Sequence, residues 1–542
     1  MARKKWSSRT RLRFSLATLA AICLASLSWT TKAFAETTLT LDENAPGEID
    51  PGKGAGRAVS AILFFNLYDP LLLPTSGGTS FAPGLAESWT QDGNSYTFKL
   101  RPGVKFHSGN PVTADDVVFS LNRLIALGQG NASLFRGWVK QVDVLDPATV
   151  RFTLTAPYAP FLATTLRLGI LDRKEVMAHL QDGSFGEFKD YGQAWLNQHD
   201  AGSGAYRIIS HNPQVEAVMG KNPDYYLPIP AAAPDRVIMK FALEAATELA
   251  LMRRGELDIM SQWASPETKR AAARIPGVTM VSERGISEFF IKMNTRRPPL
   301  DDVFCRRALA DSLDYNALIG QANVTPQAAG AEPARGPLLP GMLGYDGSVP
   351  PASRDMAKAT AELAQCKYKA GDIPIDIAWI GEVPLEERFA LLMQQNWGEL
   401  GFKSNIVRMP AVSYYQLITK PETTPNVSQF FYTATVPDSD SFLYNIYSSH
   451  SAGSASAAEW LSDPEVDSLL DQGRSTLDQT ERAAIYKKVF DRIRDLQPSI
   501  FGYQVVITYA KSDRVSVPAL QDPAKNTRVM GMNLMFRAME MK

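Results

Sequence analysis

A few short stretches of this chain hold residue types and spacings that could do chemistry. Gly47 to Lys53 reads GEIDPGK, the first seven positions of a phosphate-binding loop in which backbone N–H groups cradle a phosphate. Gly54 follows where a Ser or Thr should hold Mg²⁺, and Pro51 removes one of the donors that the cradle needs. A nucleotide site is therefore not expected. Gly202-Ser203-Gly204 offers a serine hydroxyl, but a nucleophile elbow needs its glycines two residues away on each side. Asp115 and Asp116 could in principle divide acid and base roles. Just after Thr113 they read instead as first-turn charges facing the unpaired N–H groups of a helix start. The imidazoles are His107, His179, His199, His211 and His450, and none sits in a metal-ligand spacing. No metal site and no cofactor are expected, and no motif brings a nucleophile, base and orienter together.

The elements around these residues follow from hydrophobic periodicity. Tyr96 to Leu100 alternates as a half-buried strand, Pro102-Gly103 supplies a tight turn, and Val104 to Phe106 reads as a returning strand. After Thr113, the residues Val117, Val118, Leu121, Leu124 and Ile125 form one apolar stripe at helical spacing. Val142 to Leu154 reads as a hairpin turning at Asp146-Pro147-Ala148. Strand, helix and strand follow one another through 236–241, 245–253 and 255–259, and a second unit pairs a strand at 375–380 with a helix at 388–400. Further strands are expected at 37–41, 289–294, 430–435 and 499–509, and helices at 354–365 and 481–495. The class is α/β.

With 542 residues, two or three domains are expected. A net charge of −1 gives no basic field for nucleic acid. The N-terminus carries Arg3, Lys4, Lys5, Arg9, Arg11 and Arg13, then an apolar run from Phe14 to Leu27, then Ala33-Phe34-Ala35. This is the pattern of an export leader, 1–35, cleaved before Glu36, and it places the mature chain outside the cytoplasmic membrane. Cleavage leaves Cys305 and Cys366, which could pair in an oxidising compartment or remain buried thiols on helices.

The string LRPGVKFHSGNPVTADDVVFSLNR, Leu100 to Arg123, closely resembles a signature of the extracytoplasmic solute-binding proteins of bacterial ABC importers, family 5. That family serves peptides, nickel and opines. Further segments resemble it in order: Asn66 to Leu71, Pro83 to Trp89, Ala201 to Ile208, Asn222 to Tyr226 and Pro299 to Leu309, the last departing at Cys305 where a small aliphatic is usual. The resemblance implies a two-lobed periplasmic-binding-protein-like α/β fold with a hinge and a subdomain inserted in the first lobe. It divides the chain into a first lobe at 36–67, 202–286 and 506–542, a subdomain at 68–201 and a second lobe at 287–505. It also implies a monomer that closes on a peptide or other small solute and is recognised by permease subunits in the inner membrane.

Three stretches are implied as cleft-lining: Gly52-Lys53-Gly54, Trp379-Ile380-Gly381-Glu382, and Tyr432 to Asp440. Dipeptide-binding relatives clamp the peptide amine with Asp and the carboxylate with Arg. Here Thr435 and Ile380 fall at those positions, leaving Asp438, Asp440 and Lys53 as alternative partners. A longer peptide, an opine, an oligosaccharide or a metal chelate are the alternative cargoes, and a secreted hydrolase is the rival from another class.

Overall fold

The computed structural model describes residues 36–44, 48–54, 58–75, 77–78, 80–326 and 328–542. The leader, 1–35, lies outside the described residues. Among these residues no helix is long and apolar enough to cross a membrane.

Two strands organise the molecule. Val278–Met293 and Ser499–Ser512 run antiparallel, from Val278 opposite Ser512 to Lys292 opposite Ser499. Their Val278 end meets the first lobe: Lys511 bridges to Ile259, and Ile259 bridges to Leu41. Leu41 lies in a four-stranded sheet ordered Thr38–Glu43, Arg236–Phe241, Glu216–Lys221 and Tyr206–Asn212. At the other end the two strands enter a six-stranded sheet ordered Ala331–Pro333, Ser499–Ser512, Val278–Met293, Val427–Thr433, Ile375–Ile380 and Ser404–Met409. Between the two ends the ladder slips. Arg284 faces Val506 and Glu288 faces Gln504, so Gly285, Ile286 and Ser287 oppose the single residue Val505. Such an irregularity bends the strands and leaves local ladder bonds unmade. This is a two-lobed α/β fold with both lobes strung on one strand pair.

A separate four-stranded sheet, ordered Ala86–Asp92, Ser95–Leu100, Thr149–Leu154 and Val139–Asp146, carries the helix Ala114–Leu127. That helix starts as its sequence demands: the Asp116 carboxylate accepts the Thr113 N–H at 2.8 Å and the Thr113 hydroxyl at 2.7 Å. It ends at Gly128, whose φ of 65° closes the last turn. The hairpin at 142–154 forms as expected. The strand expected at Val104–Phe106 does not: Lys105 makes only an isolated bridge to Pro111, while Ser95–Leu100 pairs with Ala86–Asp92 and Thr149–Leu154. Both edges of that strand are already taken, so the turn at Pro102-Gly103 leads into a loop. Residues 255–259 likewise contribute only the Ile259 bridges.

Three of the family-like segments, 66–71, 201–208 and 222–226, meet at one junction. The Asp69 carboxylate accepts the Ser203 hydroxyl at 3.0 Å and the Tyr225 hydroxyl at 2.9 Å. A Cβ on Gly202 would collide with the Leu67 carbonyl, and one on Gly204 with the Asn66 carbonyl, so these glycines permit two backbones to touch. Ser203 is thereby a buried structural hydroxyl. Cys305, in the helix Val303–Ser312, and Cys366 form a disulfide.

Candidate ligand site

A cavity of about 650 Å³ opens over the slipped stretch of the two long strands, within the size range of small-ligand sites. Its floor comes from both strands: Glu283 and Gly285 to Ser287 from one, and Tyr503 and Val505 to Thr508 from the other. One wall comes from the first lobe, through Trp263 and the helix Pro266–Ala272. The opposite wall comes from Phe431 and Thr433 and from the start of the helix Pro384–Glu399. The two walls touch at the rim, where Arg388 donates to Glu267 at 2.9 Å. Both side chains are half exposed, so this pair contributes little to folding stability but links the lobes directly.

The lining is mostly apolar, and its charges are arranged unequally. The buried Lys269 ammonium donates to the Gln262 carbonyl at 2.6 Å and to the Thr508 hydroxyl at 3.1 Å. Burial lowers its pKa to about 8, against the opposing pull of Glu43 and Glu248. Glu382 accepts the Ala411 N–H, and Arg528 donates to the Pro340 carbonyl. Glu283 is 8% exposed, and its carboxylate has no hydrogen-bond or ion-pair partner among the described residues. Burial raises its pKa to about 8.

Of the three stretches expected at the cleft, the second and third each place one residue in this cavity, Glu382 and Thr433, while the nine residues named individually do not line it. Gly52 packs on the subdomain helix: its N–H donates to Asp50 at 2.8 Å, and a Cβ there would meet the Arg123 guanidinium. The Lys53 and Gly54 N–H groups both donate to the Asp50 carbonyl at 3.1 Å. Trp379 is buried with the Arg408 guanidinium over its ring, and the Tyr432 hydroxyl donates to the Ser441 carbonyl. The Thr435 carbonyl accepts from Arg167 at 2.6 Å. Asp438 caps the helix Ser439–Tyr447 and pairs with Arg482 at 2.6 Å, while Asp440 pairs with Arg474 at 3.0 Å. Tyr432 comes nearest, lying between two lining residues. The floor and the stretch at 262–269 were not singled out by sequence reasoning. Their one signal is a Glu-Arg-Gly-Ile-Ser run inside a strand, where β-branched residues would pack better.

The Ile380 N–H donates to the Glu386 carboxylate at 2.8 Å. Burial raises the Glu386 pKa from 4.5 to about 8, partly offset by that bond. A carboxyl raised in the folded state holds a proton that the unfolded chain has lost. Its stabilising effect is full below pH 4.5 and disappears as pH rises through about 8. The unfolding temperature of the wild type should therefore fall from pH 5 to 8. Glu386→Gln, which keeps the acceptor for Ile380, should remove part of that fall, worth a few kcal/mol. Parallel melting curves for the two proteins would contradict this assignment.

A mixed α/β molecule whose two lobes share a pair of long strands and flank a mostly apolar cavity defines a ligand-binding protein of the periplasmic-binding type. Residues 80–454 match the model of the bacterial extracellular solute-binding proteins, family 5. The chain belongs to that family. It is 27% identical to di/tripeptide-binding protein 2 of Pseudomonas aeruginosa over 511 residues, covering 89% of this chain and 91% of the relative. It is 28% identical to heme-binding protein A of Haemophilus influenzae over 453 residues, covering 78% of each. Among solved structures it resembles the periplasmic binding protein DppA of Helicobacter pylori in complex with the peptide STSA. The TM-score is 0.76 at 22% identity, covering 93% of this chain and 98% of the other.

Proposed function

We propose that this protein is the extracytoplasmic substrate-binding component of an ABC importer. It captures peptides in the cavity over its long strands and hands them, chemically unchanged, to permease subunits in the inner membrane. The observation that carries this reading is the cavity itself: both lobes wall it, so an occupant contacts both and favours closure over opening. The relatives named for di- and tripeptides support peptides as cargo. The leader directs the chain to the periplasm, where it works as a monomer without cofactor or catalysis. The lobes divide at 286/287 and 505/506, within or beside the slipped stretch, and the subdomain spans 68–201. Of the nine residues first expected at the ligand, Tyr432 serves by holding Phe431 and Thr433 in place. Asp438 and Asp440 serve by fixing the helix behind them.

The test is native mass spectrometry of freshly purified protein, followed by calorimetric titration with di- and tripeptides. An intact peptide retained in stoichiometric amount supports the reading; a haem group, or cleaved peptide products, would replace it. Gly285 gives a structural check. A Cβ there would lie 3.5 Å from Ile507 and otherwise face the cavity. Gly285→Leu should fold normally by circular dichroism and weaken peptide binding by about tenfold or more, since the added side chain occupies floor space. Undiminished affinity in that variant would place the cargo elsewhere.

A further inference from the structure

Among the described residues, six charged side chains line the cavity, and five of them have hydrogen-bond or ion-pair partners. Glu267 and Arg388 hold each other, Lys269 is held by Gln262 and Thr508, Glu382 by the Ala411 N–H, and Arg528 by Pro340. Glu283 stands apart. It sits on the floor, opposite Ile507 in the ladder, with one carboxylate oxygen wholly buried and unpartnered. It lines the cavity together with Gly285 and Ser287. An unpaired carboxylate in apolar surroundings is costly. A partner that arrives with the ligand removes that cost, and a charge-assisted hydrogen bond replaces it.

We infer that Glu283 is the residue that selects cationic ligands, receiving an ammonium or guanidinium group of the cargo on the cavity floor. This rests on the peptide reading above and deepens it. It moves the cation clamp from the strand end at Thr435, whose carbonyl is occupied by Arg167, to the strand pair on which both lobes are hung. The apolar floor beside it takes the uncharged body of the ligand. A raised pKa from burial agrees with a carboxyl that waits for a counter-charge.

A peptide offers this charge from its free amino terminus or from a basic side chain. Calorimetry with Leu-Leu-Leu, its N-acetylated form, and N-acetylated Leu-Lys-Leu separates these sources in the wild type and in Glu283→Gln. The wild type should bind a charged form about tenfold or more tightly than acetyl-Leu-Leu-Leu. Preference for free Leu-Leu-Leu assigns the α-ammonium, and preference for acetyl-Leu-Lys-Leu assigns the side chain. Glu283→Gln should lose that preference, and an unchanged circular dichroism spectrum shows that the variant is folded. If Glu283→Gln keeps the full preference, the assignment of Glu283 is overturned and peptide binding stands. If the wild type binds none of the three, the peptide reading falls and the assignment falls with it.

Discussion

Asp50→Ala should destabilise the protein by about 3–5 kcal/mol, the effect expected when one partner of a buried ion pair is removed. Arg123 grips Asp50 through two bonds, at 2.8 and 2.6 Å, and both side chains are essentially inaccessible. The Arg123 Nε–H donates to the Tyr191 carbonyl at 2.8 Å. Deleting the carboxylate leaves a buried cation with a single acceptor and frees the Gly52 N–H as well. Urea unfolding followed by fluorescence and circular dichroism reads this directly. The pair need not be a net stabiliser over an apolar pair, so Asp50→Leu combined with Arg123→Met should cost clearly less than Asp50→Ala alone. A single variant within about 1 kcal/mol of the wild type would mean that water reaches the orphaned arginine.

Removing the Cys305–Cys366 disulfide should cost about 4 kcal/mol by the chain-entropy relation for a loop of this length, the two residues being 61 apart in sequence. The bond ties the helix Val303–Ser312 to the segment after the helix Met356–Leu363, and so closes the whole Pro- and Gly-rich excursion between them. The double variant Cys305→Ser, Cys366→Ser should unfold at lower urea, and dithiothreitol should shift the wild type toward the variant while leaving the variant unmoved. Coincident curves with and without reductant would refute the assignment. Peptide affinity should change little, because neither cysteine lines the cavity.

Elements governed by local pattern were legible in the chain. The alternation of Ile375, Ile377 and Trp379 gives a strand with the expected ends, Ile375–Ile380, and the amphipathic run near Glu481 gives the helix Gln479–Leu496. The leading family resemblance likewise gave the two-lobed architecture. The cavity was not legible, because its floor joins Glu283–Ser287 to Tyr503–Ile507 across more than two hundred residues. No window on one strand reports what lies opposite. For a related reason the partners of Asp438 and Asp440 were not legible: these carboxylates are held by Arg482 and Arg474, 44 and 34 residues further on. Gly52 and Gly54 are glycines for close approach, as expected, but what approaches is Arg123 or the Glu48 backbone.

The slip that sets three residues against Val505 has a mechanical corollary. Cargo seated on Gly285 and Ser287, as proposed above, would lie at the fulcrum between the two halves, where displacement is smallest. A rotation too slight to disturb the seat would sweep the outer lips, including Arg388 and Glu267, through a far longer arc. The seat would thus stay nearly still while the lips travel.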